Sequence, residues 1–378
     1  MTVQSFNNQL FGSLPGAVIP EGQRTAAHYG NPFGEERKLR NGTAFVDLSD
    51  LDVVAFTGAD RAKLLHNLST RDFENLAPGA STEMLVLDPN GRIEHAGGAI
   101  DDGQTTWIIT DVGRGEGLAQ FFQKMRFMMR VEAEVRRDLA VVGVMCTPEQ
   151  LPAETRELAR VIWEDPWPQT LPGGATYGPV DAEHPASGSH RTLLVIERAS
   201  GPQLAKAFKS AGFTPAGMLA WEAARIVDRR PRPNTEIDER SLPHELDWLR
   251  TAVHLDKGCY RGQETVAKLV NLGRPPRRLT YLYLEGADDE LPPAGTEVMF
   301  KGRPAGKITS AARSVDEGPV ALALLKLSLP IAAVVDVGSF IATQEEIVSV
   351  GGKSSASPAH RPGAELRGRG LDPRAGRK

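Results

Sequence analysis

Hydrophobic and polar positions divide the chain into stretches of different period. NGTAFVDLSDLDVVAFTG (41–58) carries short apolar blocks cut by Asp and Ser, the pattern of two strands joined by a turn. ADRAKLLHNLSTRDFENL (59–76) sets Leu64, Leu65, Leu68 and Phe73 on a helical stripe, with Asp60 as its N-cap. STEMLVLDPNGRIEHAGGAI (81–100) predicts a hairpin turning at Pro89-Asn90-Gly91. TTWIITDV is a further strand, GRGEGLAQFFQKMRFMM a second amphipathic helix, and VEAEVRRDLAVVGVMCT returns to strand. Helices set between antiparallel strands in this order point to an α+β unit of the split βαβ kind.

A second pass of the same type follows. RTLLVIERA is a strand, and GPQLAKAFKSAGF and TPAGMLAWEAARIVDRR are helices, after an excursion over 148–188 rich in Pro and Gly. Beyond Pro275-Pro276 the pattern becomes short strands split by Gly and Pro: RRLTYLYLEG, TEVMFKG, RPAGKITSAARS, PVALALLKL and AAVVDVGSFIAT. Close spacing of five or six such strands suggests a small barrel or sandwich. The expected organisation is an irregular arm over 1–35, an α+β region over 36–276 in two parts (about 36–147 and 148–276), the barrel over 277–348, and a tail over 349–378.

Composition narrows the functional classes. At 378 residues, 40% hydrophobic and 24% charged, the chain is ordinary globular protein of two or three domains. It has no apolar run of membrane-spanning length and no basic-then-apolar leader, and it holds only two cysteines, so a cytoplasmic protein with free thiols is expected. Seven Lys or Arg against Glu365 and Asp372 give residues 351–378 a net +5, leaving −9 for the rest of an overall −4. The acidic body argues against nucleic acid as a direct partner. The tail lacks large apolar residues and is expected to be disordered.

Chemistry concentrates at the cysteines. Cys146 lies in the apolar strand VVGVMCT, where a thiol is a small buried hydrophobe. Cys259 lies among Lys257, Gly258, Tyr260, Gly262, Gln263 and Glu264, just before GQETVAKLVNLG, a short helix with Gly273 as its stop. A helix start and a lysine two residues away both stabilise an anion, so a reactive thiolate is expected. One cysteine cannot hold zinc or a cluster, which need about four ligands. Any cluster chemistry would therefore be transient and shared with a partner, with no stably bound metal expected. A hydrolase reading, with His254 as base and Glu264 as orienter, lacks an oxyanion-hole motif.

Lys257-Gly258-Cys259-Tyr260-Arg261-Gly262-Gln263-Glu264 resembles the K-G-C-[YF]-x-G-Q-E signature of YgfZ-type folate-binding proteins, relatives of the glycine-cleavage T-protein and of mitochondrial iron–sulfur assembly factors. GRPPRRL, Leu242-Pro243-x-Glu245 and Asn90-Gly91-Arg92-Ile93 agree with it, and the resemblance covers about 40–348. It implies a T-protein-like fold: two ferredoxin-like subdomains and a C-terminal β-barrel around a pocket for tetrahydrofolate or its polyglutamylated form. It also implies a role in maintaining iron–sulfur client proteins, and through them cluster-dependent tRNA modification. Cys259 and Lys257 would carry the chemistry at the edge of the folate site, while Tyr260, Gly262, Gln263 and Glu264 would shape the pocket. Arg225 resembles the arginine opening the T-protein's R-L-E-A-G segment, and a guanidinium there suits the carboxylates of folate.

The chain departs from the T-protein in ways that bear on activity. The Asp pair after the hairpin turn is replaced by Arg92-Ile93-Glu94-His95, of which alternation puts only one of Glu94 and His95 on the pocket face. In R-L-E-A-G, Glu and Gly become Val227 and Arg229, and Lys268 stands where many YgfZ-type proteins have Arg. Aminomethyl transfer is therefore not expected. A folate-dependent one-carbon enzyme is the alternative reading, and a binding module using the basic tail a third. The clusters Arg229, Arg230, Arg232 and Arg274, Arg277, Arg278 suit either a solvated face or a pocket entrance for a polyglutamate tail.

Overall fold

The computed structural model describes residues 10–286 and 289–359. After α1 (Pro32–Arg40), the chain runs through β1 (Ala44–Asp47), β2 (Asp52–Thr57), α2 (Arg61–Leu68), β3 (Ser81–Leu87), β4 (Ile93–Asp101), β5 (Thr105–Thr110), α3 (Gly115–Met125), β6 (Glu132–Val135) and β7 (Leu139–Val144). There follow α4 (Ala153–Leu158), β8 (Ala159–Glu164), β9 (Thr192–Glu197), α5 (Gly201–Ser210), β10 (Thr214–Ala216), α6 (Met218–Val227), α7 (Pro233–Glu236), α8 (Leu249–Ala252) and α9 (Gln263–Leu272). The last part is all strand: β11 (Arg277–Glu285), β12 (Glu297–Phe300), β13 (Arg303–Ser314), β14 (Gly318–Lys326), β15 (Val335–Val337) and β16 (Phe340–Glu346).

These strands form two five-stranded sheets, β3-β4-β5-β2-β6 and β10-β1-β7-β9-β8, and a closed barrel, β11-β14-β13-β12-β15-β16. The barrel matches the expectation from short Gly- and Pro-bounded strands. The sheets are less sequential than the pattern suggested. β1 and β7 lie early in the chain but pair with β10 and β9 in the second sheet, so the two α+β units interleave instead of following one another. The excursion over 148–188 contributes β8, an edge strand that pairs with β9.

One core lies between the sheets. Leu48, Val53, Trp107, Val141, Trp163, Val195 and Trp221 are buried there together. Another joins the first sheet to the barrel through Leu85, Trp248, Tyr260, Val266, Tyr281 and Leu322. α2 ends at Leu68, earlier than its apolar stripe suggested, and the Asp60 carboxylate caps no amide of α2 but accepts from the Arg130 backbone N–H at 2.9 Å and pairs with its guanidinium at 3.0 Å. The chain beyond β16 stays attached: Ser349 and Ser355 donate backbone N–H groups to Tyr177 and Thr176, and Ser357 Oγ donates to Val270. Residues 349–359 are thus ordered, contrary to the expected disorder from 349, and the remainder of the tail, 360–378, lies outside the described residues. No helix among the described residues is long and apolar enough to cross a membrane.

Candidate functional site

The seam between the two sheets opens into a cavity of about 120 Å³. Its walls come from β3 and β4 (Glu83, Gly97, Gly98), β8 and β9 (Trp163, Leu193), α6 (Trp221, Glu222, Arg225) and the segment after it (Arg230, Arg232). Gly98 is glycine for a steric reason, since a Cβ there would lie 2.6 Å from the Trp163 ring. From β4 the cavity therefore receives two glycines. Glu94 and His95, the residues standing where the T-protein has its Asp pair, do not line it. Glu94 pairs with Arg261 at 2.7 Å, and His95 stacks beside Phe121 at 5.7 Å, where burial lowers its pKa to about 4.

Arg225 lines this cavity, yet its five N–H groups all have protein acceptors. Nε and Nη2 bind Glu222 at 2.9 and 2.8 Å, Nη2 also binds Ser310 Oγ at 2.8 Å, and Nη1 binds the Arg230 carbonyl at 2.8 Å and Glu236 at 3.1 Å. In this arrangement Arg225 braces α6 against α7 and the barrel. Burial disfavours the ionised Glu222, but Arg225 and Arg232 outweigh it and pull the carboxyl down to about 2.

Arg191 is different, and no local motif marks it. It is 7% exposed and lines the cavity, and its guanidinium carbon lies 4.9 Å from the Trp221 ring centre. Nη2 binds Asp228 at 3.0 Å, but Nε has no partner. A buried guanidinium N–H without an acceptor is costly unless a ligand or water oxygen completes it. Around it, burial raises the pKa of Asp50 and, despite Arg230, that of Glu83.

The cysteine motif lies elsewhere: no residue of 257–264 lines the cavity. Cys259 is exposed in the loop before α9, and Cys146 is buried in the second sheet's core, where burial pushes its thiol up to about 11. Lys257 does not point its charge into open solvent. Its ammonium donates to the carbonyls of His66, Ser69 (2.7 Å) and Arg71 (3.1 Å), closing the C-terminal end of α2, and burial lowers its pKa to about 8. Tyr260 is buried with its ring 5.3 Å from that ammonium. Gly262 caps α9 at φ 83°, Gln263 reaches the Lys257 carbonyl at 3.4 Å, and Glu264 is exposed.

A residue missed in the sequence stands beside this loop. His66 holds its Nδ1 at 2.9 Å from Asp72, and its Nε2 lies 4.0 Å from where a Cβ on Gly258 would be. The motif's flanks also meet, because Arg277 binds Glu245 at 2.7 Å and Asp238 at 2.5 Å. Strand β3 links the two places, with Glu83 in the cavity and Leu87 against Gly262. Four residues of strand span about 13 Å, so Gly262 of the motif and the cavity meet β3 at different points.

No family model matches the chain. It is 25% identical to an aminomethyltransferase of Rippkaea orientalis over 78% of this chain and 81% of that protein, and 24% identical to the tRNA-modifying protein YgfZ of Yersinia pseudotuberculosis over 72% and 81%. A putative chloroplastic transferase of Arabidopsis thaliana is 25% identical over 71% of this chain, a match spanning 62% of that longer protein. In three dimensions the chain superposes on the glycine cleavage system aminomethyltransferase T of Bartonella henselae with a TM-score of 0.71, at 14% identity, over 90% of this chain and 96% of that one. The chain adopts the aminomethyltransferase T fold, and its sequence is similar both to YgfZ-like proteins and to these aminomethyltransferases, which supports their common superfamily.

Proposed function

We propose that this protein binds a reduced folate, tetrahydrofolate or its polyglutamylated form, between its two sheets and acts as an accessory factor for iron–sulfur proteins through Cys259. The observation that carries the ligand is the unpaired Nε of buried Arg191 beside three indoles, Trp163, Trp221 and Trp248. A pterin-like head offers flat faces for the indoles and a ring oxygen for that N–H. The cavity is smaller than the roughly 300 Å³ or more of a site enclosing a whole ligand, so it suits the head alone. When bound, such a group would supply one-carbon or reducing chemistry. The chain's own part is to orient the head and exclude water.

Cys259 serves the second half of the reading. Its exposure, and its absence from the cavity's lining, favour a thiol that acts on a protein partner rather than on the folate itself. Transient contact with iron–sulfur client proteins fits that placement, and any effect on tRNA modification then passes through such clients. The one-carbon-enzyme alternative is less favoured, because β4 offers the cavity glycines where an acid/base pair would be needed.

Anaerobic calorimetric titration with tetrahydrofolate tests the first half: Arg191→Leu is expected to weaken binding about tenfold or more, and absence of binding to the wild type would remove folate from the mechanism. For the second half, Cys259→Ala is expected to bind folate normally yet fail to restore iron–sulfur enzyme activity in cells lacking the native gene. Full restoration would overturn the role of the thiol.

A further inference from the structure

The second amphipathic helix stops before its apolar run does. α3 ends at Met125, and the residues that continue the run, Phe127 and Met128, fall on the turn before β6, where they are 86% and 97% exposed. Single exposed apolar residues are ordinary, but two bulky ones side by side at a tip add nothing to the core and mark a contact surface. We propose that Phe127 and Met128 form the docking tip for a protein partner whose apolar groove is rimmed by carboxylates, the client on which Cys259 acts. The inference rests on the reading of Cys259 above and names the surface that holds the client beside the thiol.

The turn is braced so that the tip stands out. Phe127 holds a left-handed φ of 47°, which a bulky side chain disfavours. Met129 N–H donates to the Arg126 carbonyl at 2.8 Å, Arg126 Nη1 donates to the Val131 carbonyl at 2.6 Å, and Asp60 accepts from the Arg130 backbone N–H at 2.9 Å. Gly58 lets the turn lie close, since a Cβ there would collide with the Arg130 carbonyl oxygen. A tip ordered before binding loses little freedom on docking. An apolar line leads from it towards the thiol. Exposed Met125 and half-buried Phe121 lie one turn apart on α3, about 6 Å. The Phe121 ring centre is 6.0 Å from the guanidinium carbon of Arg261, two residues after Cys259. Cations surround the tip: Lys124, Arg126 and Arg130 along the turn, and Lys63 on α2 just after Asp60. The carboxylates beside them are Glu132 and Asp60, the latter already paired with Arg130 at 3.0 Å. This local positive charge complements a carboxylate rim. An anionic bilayer would face and repel the acidic body as a whole, whereas a protein rim meets the tip's cations alone.

The test compares the full chain carrying Phe127→Ser with Met128→Ser, Lys63→Glu with Lys124→Glu, or Cys259→Ala, in cells lacking the native gene, with the activity of one [4Fe–4S] enzyme as readout. Both surface pairs are expected to keep the wild-type urea midpoint and tetrahydrofolate affinity. The apolar pair is expected to lower the supported enzyme activity about tenfold or more, and the charge-reversed pair in the same direction. A photo-crosslinking p-benzoylphenylalanine at position 128 is expected to join the purified protein to that same purified enzyme, with a yield that falls with added salt. Full support by the apolar pair while Cys259→Ala fails would overturn the docking tip and leave the role of the thiol standing. Full support by Cys259→Ala as well would overturn both. Binding of phosphatidylglycerol vesicles by the wild type and not by the apolar pair, or a dimer that this pair converts to monomer in sedimentation, would assign the tip to a lipid surface or to a second copy and overturn the client proposal.

Discussion

At φ 83°, Gly262 holds a backbone conformation that side chains disfavour, and a Cβ there would stand 2.6 Å from the Asp88 carbonyl oxygen and 3.0 Å from Gly91 Cα. Gly91, at the tip of the β3–β4 hairpin, would in turn meet Thr265 at 2.9 Å. Two motifs far apart in sequence thus meet backbone to backbone, and the glycine at each is explained by close approach rather than by ligand contact. Gly262→Ala is expected to cost about 2 kcal/mol or more, read as a lowered urea midpoint. An unchanged midpoint would show that the hairpin can retreat. Arg229 makes the converse point. It stands where the resembled R-L-E-A-G segment has glycine, and it keeps a left-handed φ of 55°. That strain, on the order of 1–3 kcal/mol, is offset by its guanidinium lying 3.8 Å from the Tyr281 ring centre and pairing with Glu345 at 2.8 Å.

Among the elements, α6 and the turn after it organise the site. Arg225, Arg230 and Arg232 leave this segment towards α7, the first sheet and the β5–α3 connection, binding Glu236, Glu83 and Asp111. Buried ion pairs of this kind lose much of their Coulomb gain to desolvation, and breaking one leaves a charge stranded. Glu222 sits at the centre, with Arg225 at 2.8 Å and Arg232 at 2.7 Å. Its folded pKa is depressed to about 2 from an ordinary value of 4.5, so its contribution is present above pH 4.5 and is lost as pH falls towards 2. Glu222→Gln is expected to lower stability by about 2 kcal/mol near neutrality. The gap between wild type and variant should close over that acid window in pH-dependent urea unfolding. Comparing the two removes the opposite slope from carboxyls that burial raises, such as Glu83 and Asp228. A gap independent of pH would mean that Glu222 acts by shape alone.

For the molecule as a whole, the barrel, both sheets and residues 349–359 are fastened by contacts between distant parts of the chain. Glu36 of α1 accepts from Ser314 Oγ at 2.9 Å in the barrel, and residues 349–359 bond back to Thr176, Tyr177 and Val270. Ending the chain at 348 is expected to lower the thermal midpoint by several degrees, about 1–2 kcal/mol, whereas ending it at 359 should not. Equal loss in both would place the stabilising contacts in the last residues instead. Much of this was legible beforehand. Helical stripes, the hairpin turn at Asn90-Gly91 and the Gly- and Pro-bounded barrel strands are local properties, set by side-chain periodicity and turn chemistry within about ten residues. The eight-residue motif around Cys259 was equally local, and it pointed to the superfamily. What only the tertiary structure decided are relations between residues far apart in the chain: β1 and β7 joining the second sheet, Arg225 saturated by protein acceptors while Arg191 keeps a free N–H, and an exposed thiol that does not line the cavity. Such relations depend on which buried donors and acceptors find one another once the layers close, and no window of sequence contains both partners.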